Sequence, residues 1–223
     1  MIAVSAKASK NKQELCPQLE KMINSLTSSS NLTSIPIVTA RTCQFIGKYS
    51  KSLSQTTAFV QSSTFVVSLF NEQNIAQLAT DIDTTDVSSL SEACIALKQL
   101  LFYSPQQFST VEAKQALEDI WLLPYRQQRI KFKIQDREML CRGFIAVIIT
   151  MPNDQWLGSM ETLTRPLLTC LGDVIKEADS ARSARQDTAP MISRLSIEIG
   201  VLAVMIKFFL KANVSKGLSG DDK

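Results

Sequence analysis

The chain has 223 residues, 45% hydrophobic and 20% charged, a balance that belongs to folded protein and excludes disorder over most of its length. A net charge of +3 is too small to mark a nucleic-acid binder, which needs a concentrated basic face. Histidine is absent, which removes the imidazole-dependent serine and cysteine triads and most zinc catalysis.

Other routes to chemistry are equally bare. Neither the phosphate-binding P-loop nor the glycine fingerprint of dinucleotide sites occurs, and the seven glycines stand singly. The five cysteines, Cys16, Cys43, Cys94, Cys141 and Cys170, are dispersed and never form a C-x-x-C pair. They read as reduced, mostly buried thiols of a cytosolic or nuclear protein, since disulfide frameworks and zinc sites need clustered spacings. A reactive thiol is the sharper alternative, without a histidine to lower its pKa. No catalytic, cofactor or metal-binding residue is expected, and enzymatic activity is not. The first fifteen residues lack a continuous apolar core and do not resemble a secretory signal.

The predicted elements are all helical. Residues 12–26 carry Leu15, Leu19, Met22, Ile23 and Leu26 on one side, with Pro17 in the first turn or breaking it. A second helix over 32–53 tolerates Pro36 only in its opening turn and presents Ile35, Val38, Phe45, Ile46, Tyr49 and Leu53. Residues 56–70, TTAFVQSSTFVVSLF, score as a strand on local propensity, but helical neighbours and the lack of a partner strand favour a helix. Residues 71–86 are polar, with Asp81, Asp83 and Asp86; they lack the glycine and terminal glutamate of a calcium loop and read as a solvated connection.

Leu90, Ala93, Cys94, Leu97, Leu100 and Leu101 predict a helix over 87–103, closed by Ser104-Pro105. Ser109 and Glu112 form a capping box that opens a helix over 109–123, with Pro124 as terminator. The densest basic stretch, YRQQRIKFK at 125–133, is a solvated loop or, more sharply, a partner-binding patch. Two long stripes follow. Leu140, Phe144, Val147, Ile148 and Met151 predict a helix over 136–151, stopped by Pro152. Trp156, Met160, Leu163, Leu167, Leu171, Val174 and Ile175 predict another over 154–178. Residues 179–189 alternate charge and read as an exposed loop, and a last helix over 190–212 contains the most apolar run, LSIEIGVLAVMIKFFL. That run is too short for a membrane span of ~20 residues and is interrupted by Glu198 and Lys207, so a buried helix is expected instead. Residues 213–223 are expected to be a disordered tail.

Eight helices pairing at intervals of ~40–50 residues predict an all-α chain, an α-solenoid of about four antiparallel pairs in a right-handed stack, within the period of HEAT and armadillo repeats. The runs at 32–53, 90–108, 137–168 and 192–208 are similar to successive central HEAT repeats of the β-karyopherins, nearest to the transportin-SR and importin-thirteen branch. That resemblance implies a nuclear transport receptor segment, shared between nucleus and cytoplasm, that binds cargo proteins and the GTPase Ran. Neither nucleic-acid contact nor membrane insertion is expected, from the small net charge and the length of the apolar run. The family's N-terminal Ran-binding repeats and arginine-rich helix have no counterpart here, so the resemblance makes the chain a fragment, a truncated gene model or a short paralogue. No partner-binding residue is carried over. The resemblance further implies weak, salt-sensitive Ran binding through the acidic residues Asp81, Asp83 and Asp86 and the basic segment 126–133. A solenoid cut from its middle leaves apolar end faces uncovered, so self-association through the terminal helix at 192–209 is expected as well. A generic HEAT scaffold for complex assembly is the alternative.

Overall fold

The computed structural model describes residues 12–28, 35–80, 88–127 and 132–217, and among them every regular element is helical, with no strand. Nine α-helices and one 3-10 turn result: α1 (Lys12–Ser28), α2 (Pro36–Leu53), α3 (Ala58–Ser68), α4 (Glu72–Thr80), α5 (Ser89–Tyr103), the 3-10 turn (Pro105–Phe108), α6 (Val111–Arg126), α7 (Ile134–Ile149), α8 (Asn153–Ser183) and α9 (Ala189–Gly217). The ambiguous stretch is helical because burial of its apolar face overrides local propensity, and its hydroxyls are satisfied within the helix. Ser62, Ser63 and Thr64 each donate to the carbonyl four residues back, at 2.8, 2.8 and 2.9 Å, while Phe59, Phe65 and Val66 enter the core.

Several expectations need correction. The stretch read as a connection after Phe70 holds α4, started by Asn71, whose side chain accepts from the Asn74 amide at 2.8 Å, and anchored by buried Ile75 and Leu78. Its polar composition hid two apolar residues at helical spacing. Ser109 does not cap α6: its hydroxyl donates to the Gln106 carbonyl at 2.6 Å, and Thr110 accepts from the Ala113 amide at 3.2 Å instead. Pro17 and Pro124 lie inside α1 and α6 rather than at their limits. α8 runs past residue 178 to Ser183, since nothing in 179–183 breaks a helix, and α9 continues through 213–217, part of the expected tail. The acidic residues Asp81, Asp83 and Asp86 lie outside the described residues.

The core follows from the order of the helices. α5 is buried on nearly every side, with Leu90, Ala93, Cys94, Ala96, Leu97, Leu100 and Leu101 all closed to solvent, because α2 and α7 pack on it from either side. Small residues permit the approach: a Cβ on Gly143 of α7 would meet the Lys98 backbone at 3.1 Å and the Leu101 side chain at 2.9 Å. α9 then packs on α7 and α8, α6 on α8, and α1 on α2 and α3. Trp121 of α6 ties the far end together; its indole N–H donates to the Leu163 carbonyl of α8 at 2.9 Å and its ring meets Phe144 of α7 edge-on at 5.8 Å.

Candidate functional site

Chemistry-bearing residues converge at one place, where α6, α7 and α9 meet. Arg137 and Glu198 are each 4% exposed. The Arg137 guanidinium donates through both terminal nitrogens to the Glu198 carboxylate, with Nη2 to Oε2 at 2.8 Å, and Nη2 also donates to the Tyr125 hydroxyl. That hydroxyl in turn donates to Glu198 Oε2 at 3.3 Å, and the guanidinium lies 4.9 Å from the centre of the Tyr125 ring. Burial opposes the charge on Arg137, but the hydrogen bonds to Glu198 and the fields of Tyr125 and Glu198 hold the cation, so its pKa is raised. Burial pushes the Tyr125 phenol up as well.

This junction is closed, and its geometry is that of a structural lock. Its charges satisfy each other, apart from Arg137 Nε, which has no hydrogen-bond partner among the described residues. A paired buried charge is weak evidence for net stability, but an unpaired one is strongly unfavourable, so the arrangement fixes the registry of α9 on α7. The sequence reading singled out Glu198 only as an interruption in an apolar run. Its partner lies 61 residues away and left no local signal.

The thiols are similarly enclosed. Cys43, Cys94, Cys141 and Cys170 are free and buried. Burial raises the pKa of all four, assisted by Glu92 at Cys43 and by Asp136 at Cys94, and the Cys141 thiol is pushed up to about 12. Thiolate character, which nucleophiles and metal ligands need, is therefore suppressed at each. Among the described residues no group of three or more metal-ligating side chains occurs.

The basic segment does not form a free cationic face over its described part. Arg126 pairs with Asp119 at 3.1 Å, Tyr125 is committed to the junction, and Phe132 is buried. The Lys133 amide donates to Asp136 at 3.1 Å and starts α7.

Two open surfaces bear on partner binding, beside a shallow one of about 440 Å³ on α1 next to Met22 and Leu26. A groove of about 460 Å³ lies between α3 and α6, lined by Val60, Ser63, Val67, Phe108, Ala113 and Ala116 among others. Its character is apolar, since the hydroxyls of Ser63, Thr64 and Ser68 are spent on helix carbonyls. The second surface is α9, where Ile192, Ile199, Ile206 and Leu210 are 59, 56, 50 and 58% exposed. The 23 residues Ala189–Lys211 are long and apolar enough, by length and composition alone, to cross a membrane. Comparison with known proteins finds no family model, no curated protein and no solved structure that matches the chain.

Proposed function

We propose that this chain is a protein-binding α-solenoid segment of HEAT or armadillo type, in which α2, α5, α7 and α9 form one continuous row of packed helices. One observation carries the reading: α2 packs on α5, α5 on α7 and α7 on α9, so the most extensive contacts run through a single row in which each helix touches mainly the one before and the one after it. Such nearest-neighbour stacking is the quasi-one-dimensional plan of repeat proteins, which bind other proteins over extended helical surfaces. The closed polar junction and the enclosed thiols support binding over catalysis, because the polar groups met inside the fold are used up by the fold.

Within that class, the likeness of the runs at 32–53, 90–108, 137–168 and 192–208 to central β-karyopherin repeats supports a nuclear transport role, with cargo proteins and Ran as partners and residence in nucleus and cytoplasm. Stable interfaces bury on the order of 1,200–2,000 Å². Rim charges steer encounter more than they add affinity. Calorimetry of the whole chain against Ran loaded with GTP or GDP tests the role. Weak, salt-sensitive binding confined to the GTP form is expected; indifference to the nucleotide would remove the transport reading and leave a scaffold for complex assembly.

A further inference from the structure

We infer that the open face of α9 is a homodimer interface, in which α9 pairs antiparallel with α9 of a second copy about a twofold axis at Ile199. This does not rest on the transport reading. The face is a row. Ile192, Ile199 and Ile206 recur every seven residues, one above another on the side of α9 turned away from α7, each half or more exposed. Buried Glu198, Val201 and Met205 mark the opposite, core-facing side.

The row is symmetric about its middle member, which makes it self-complementary in the manner a twofold interface requires. Antiparallel pairing centred on Ile199 sets Ile192 against Ile206 of the second copy. It sets half-buried Leu195 against Ala203, a large side chain opposite a small one. It also brings exposed Lys211 toward the start of α9 of the second copy, where exposed Asp187 accepts from the Ala189 amide at 2.9 Å, twice by symmetry. A parallel pair would instead gather Lys207 and Lys211 of both copies at one end. Charge therefore selects the antiparallel arrangement.

The open parts of Ile192, Ile199, Ile206 and Leu210 alone offer roughly 400 Å² per copy, so burying the row in both copies gives an interface of the small, weak class and a concentration-dependent dimer. A lipid surface would be an alternative occupant of an apolar helix. The Asp187 to Lys211 match and the symmetry about Ile199 favour a second copy, since a bilayer asks for neither.

Sedimentation equilibrium of the full chain in reductant, up to roughly 100 μM so that a micromolar dimer is populated, should give a mass approaching twice 24.7 kDa. Ile199→Glu should return the monomer mass with the helical circular dichroism unchanged, whereas Val60→Glu, at an exposed position on α3, should leave the dimer intact. Under mild oxidation Ile199→Cys should cross-link to itself. Ile192→Cys should cross-link to Ile206→Cys in a mixture and not to itself. A strictly monomeric wild type, a dimer indifferent to Ile199→Glu, or self-linking Ile192→Cys would each overturn the proposal. So would a monomer that sediments with neutral phosphatidylcholine vesicles and loses that binding on Ile199→Glu.

Discussion

Removing Glu198 leaves Arg137 charged and enclosed at the centre of the α6, α7 and α9 junction, where it has no second carboxylate to turn to. Loss of one partner of a buried pair costs about 3–5 kcal/mol, while replacing both by apolar groups is often neutral. Glu198→Ala should therefore destabilise the chain by that amount in urea denaturation, and the double variant Glu198→Ala, Arg137→Met should recover most of it; additive losses in the double variant would deny the coupling. A second residue works against its own backbone. Arg185 closes α8 with φ of 54°, in a motif where the Gln186 amide donates to the Ala181 carbonyl at 2.8 Å and the Arg185 amide to the Arg182 carbonyl at 3.1 Å. Glycine normally fills that position, since an L side chain there costs about 1–2 kcal/mol. Arg185→Gly should accordingly raise the unfolding midpoint; a fall would show that the Arg185 side chain contributes more than its backbone costs. Neither residue was legible as special, because the partner of Glu198 is remote in sequence and the end of α8 carries no glycine. The enclosure of the four described thiols was legible, since each sits in a local apolar stripe.

At the level of helices, the two flanks of α5 set the tolerance for side-chain volume. A methyl on Gly143 would drive into the Lys98 backbone and Leu101, and backbone cannot swing aside as a long side chain can. Gly143→Ala should cost about 1–3 kcal/mol as an overpacked core substitution, despite the better helix propensity of alanine. Gly158 in α8 has open space around its Cβ position, so Gly158→Ala should gain close to 1 kcal/mol from propensity alone. Opposite signs from one chemical change, read in the same denaturation experiment, test whether α5 and α7 touch as closely as described; equal signs would contradict that contact. The helical character of the chain was visible in its three-and-four stripes, and α7 bears out its stripe with Leu140, Phe144, Val147, Ile148 and Met151 all buried. The limits were less visible. α4 escaped notice because only Ile75 and Leu78 identify it, and Thr110 rather than Ser109 caps α6 because the 3-10 turn takes up the serine. Which helices pack together depends on matching surfaces far apart in the chain, and no periodicity within a single helix records that.

Across the whole molecule, the enclosed acids make stability depend on pH in one direction. Cys43, Cys94, Cys141 and Cys170 start from an ordinary thiol value of 9.0 and Tyr125 from 10.0, and burial raises all five. Above pH 9 the unfolded chain releases protons that the folded chain retains, so the unfolded state binds fewer protons and the free energy of unfolding falls as pH rises. Each group that stays protonated contributes a slope of at most about 1.4 kcal/mol per pH unit. Lys98 works the other way, its pKa lowered by burial and by Arg142, but it is a single group and more open to solvent. The raised value of Arg137 acts only in more extreme alkali, beyond the useful range. The melting temperature should hold steady below the thiol value and drop steeply between about pH 9 and pH 11, with the slope reduced in Cys43→Ala relative to wild type once each is normalised to its own value at neutral pH. Thiolate absorbance from Cys43, Cys94, Cys141 and Cys170, followed in the same interval in a Cys16→Ser background, should appear with unfolding and not before it. A folded chain that develops most of its thiolate signal near pH 9 while its melting temperature stays constant would show that these cysteines are open to solvent and that α5 does not lie at the centre of the stack.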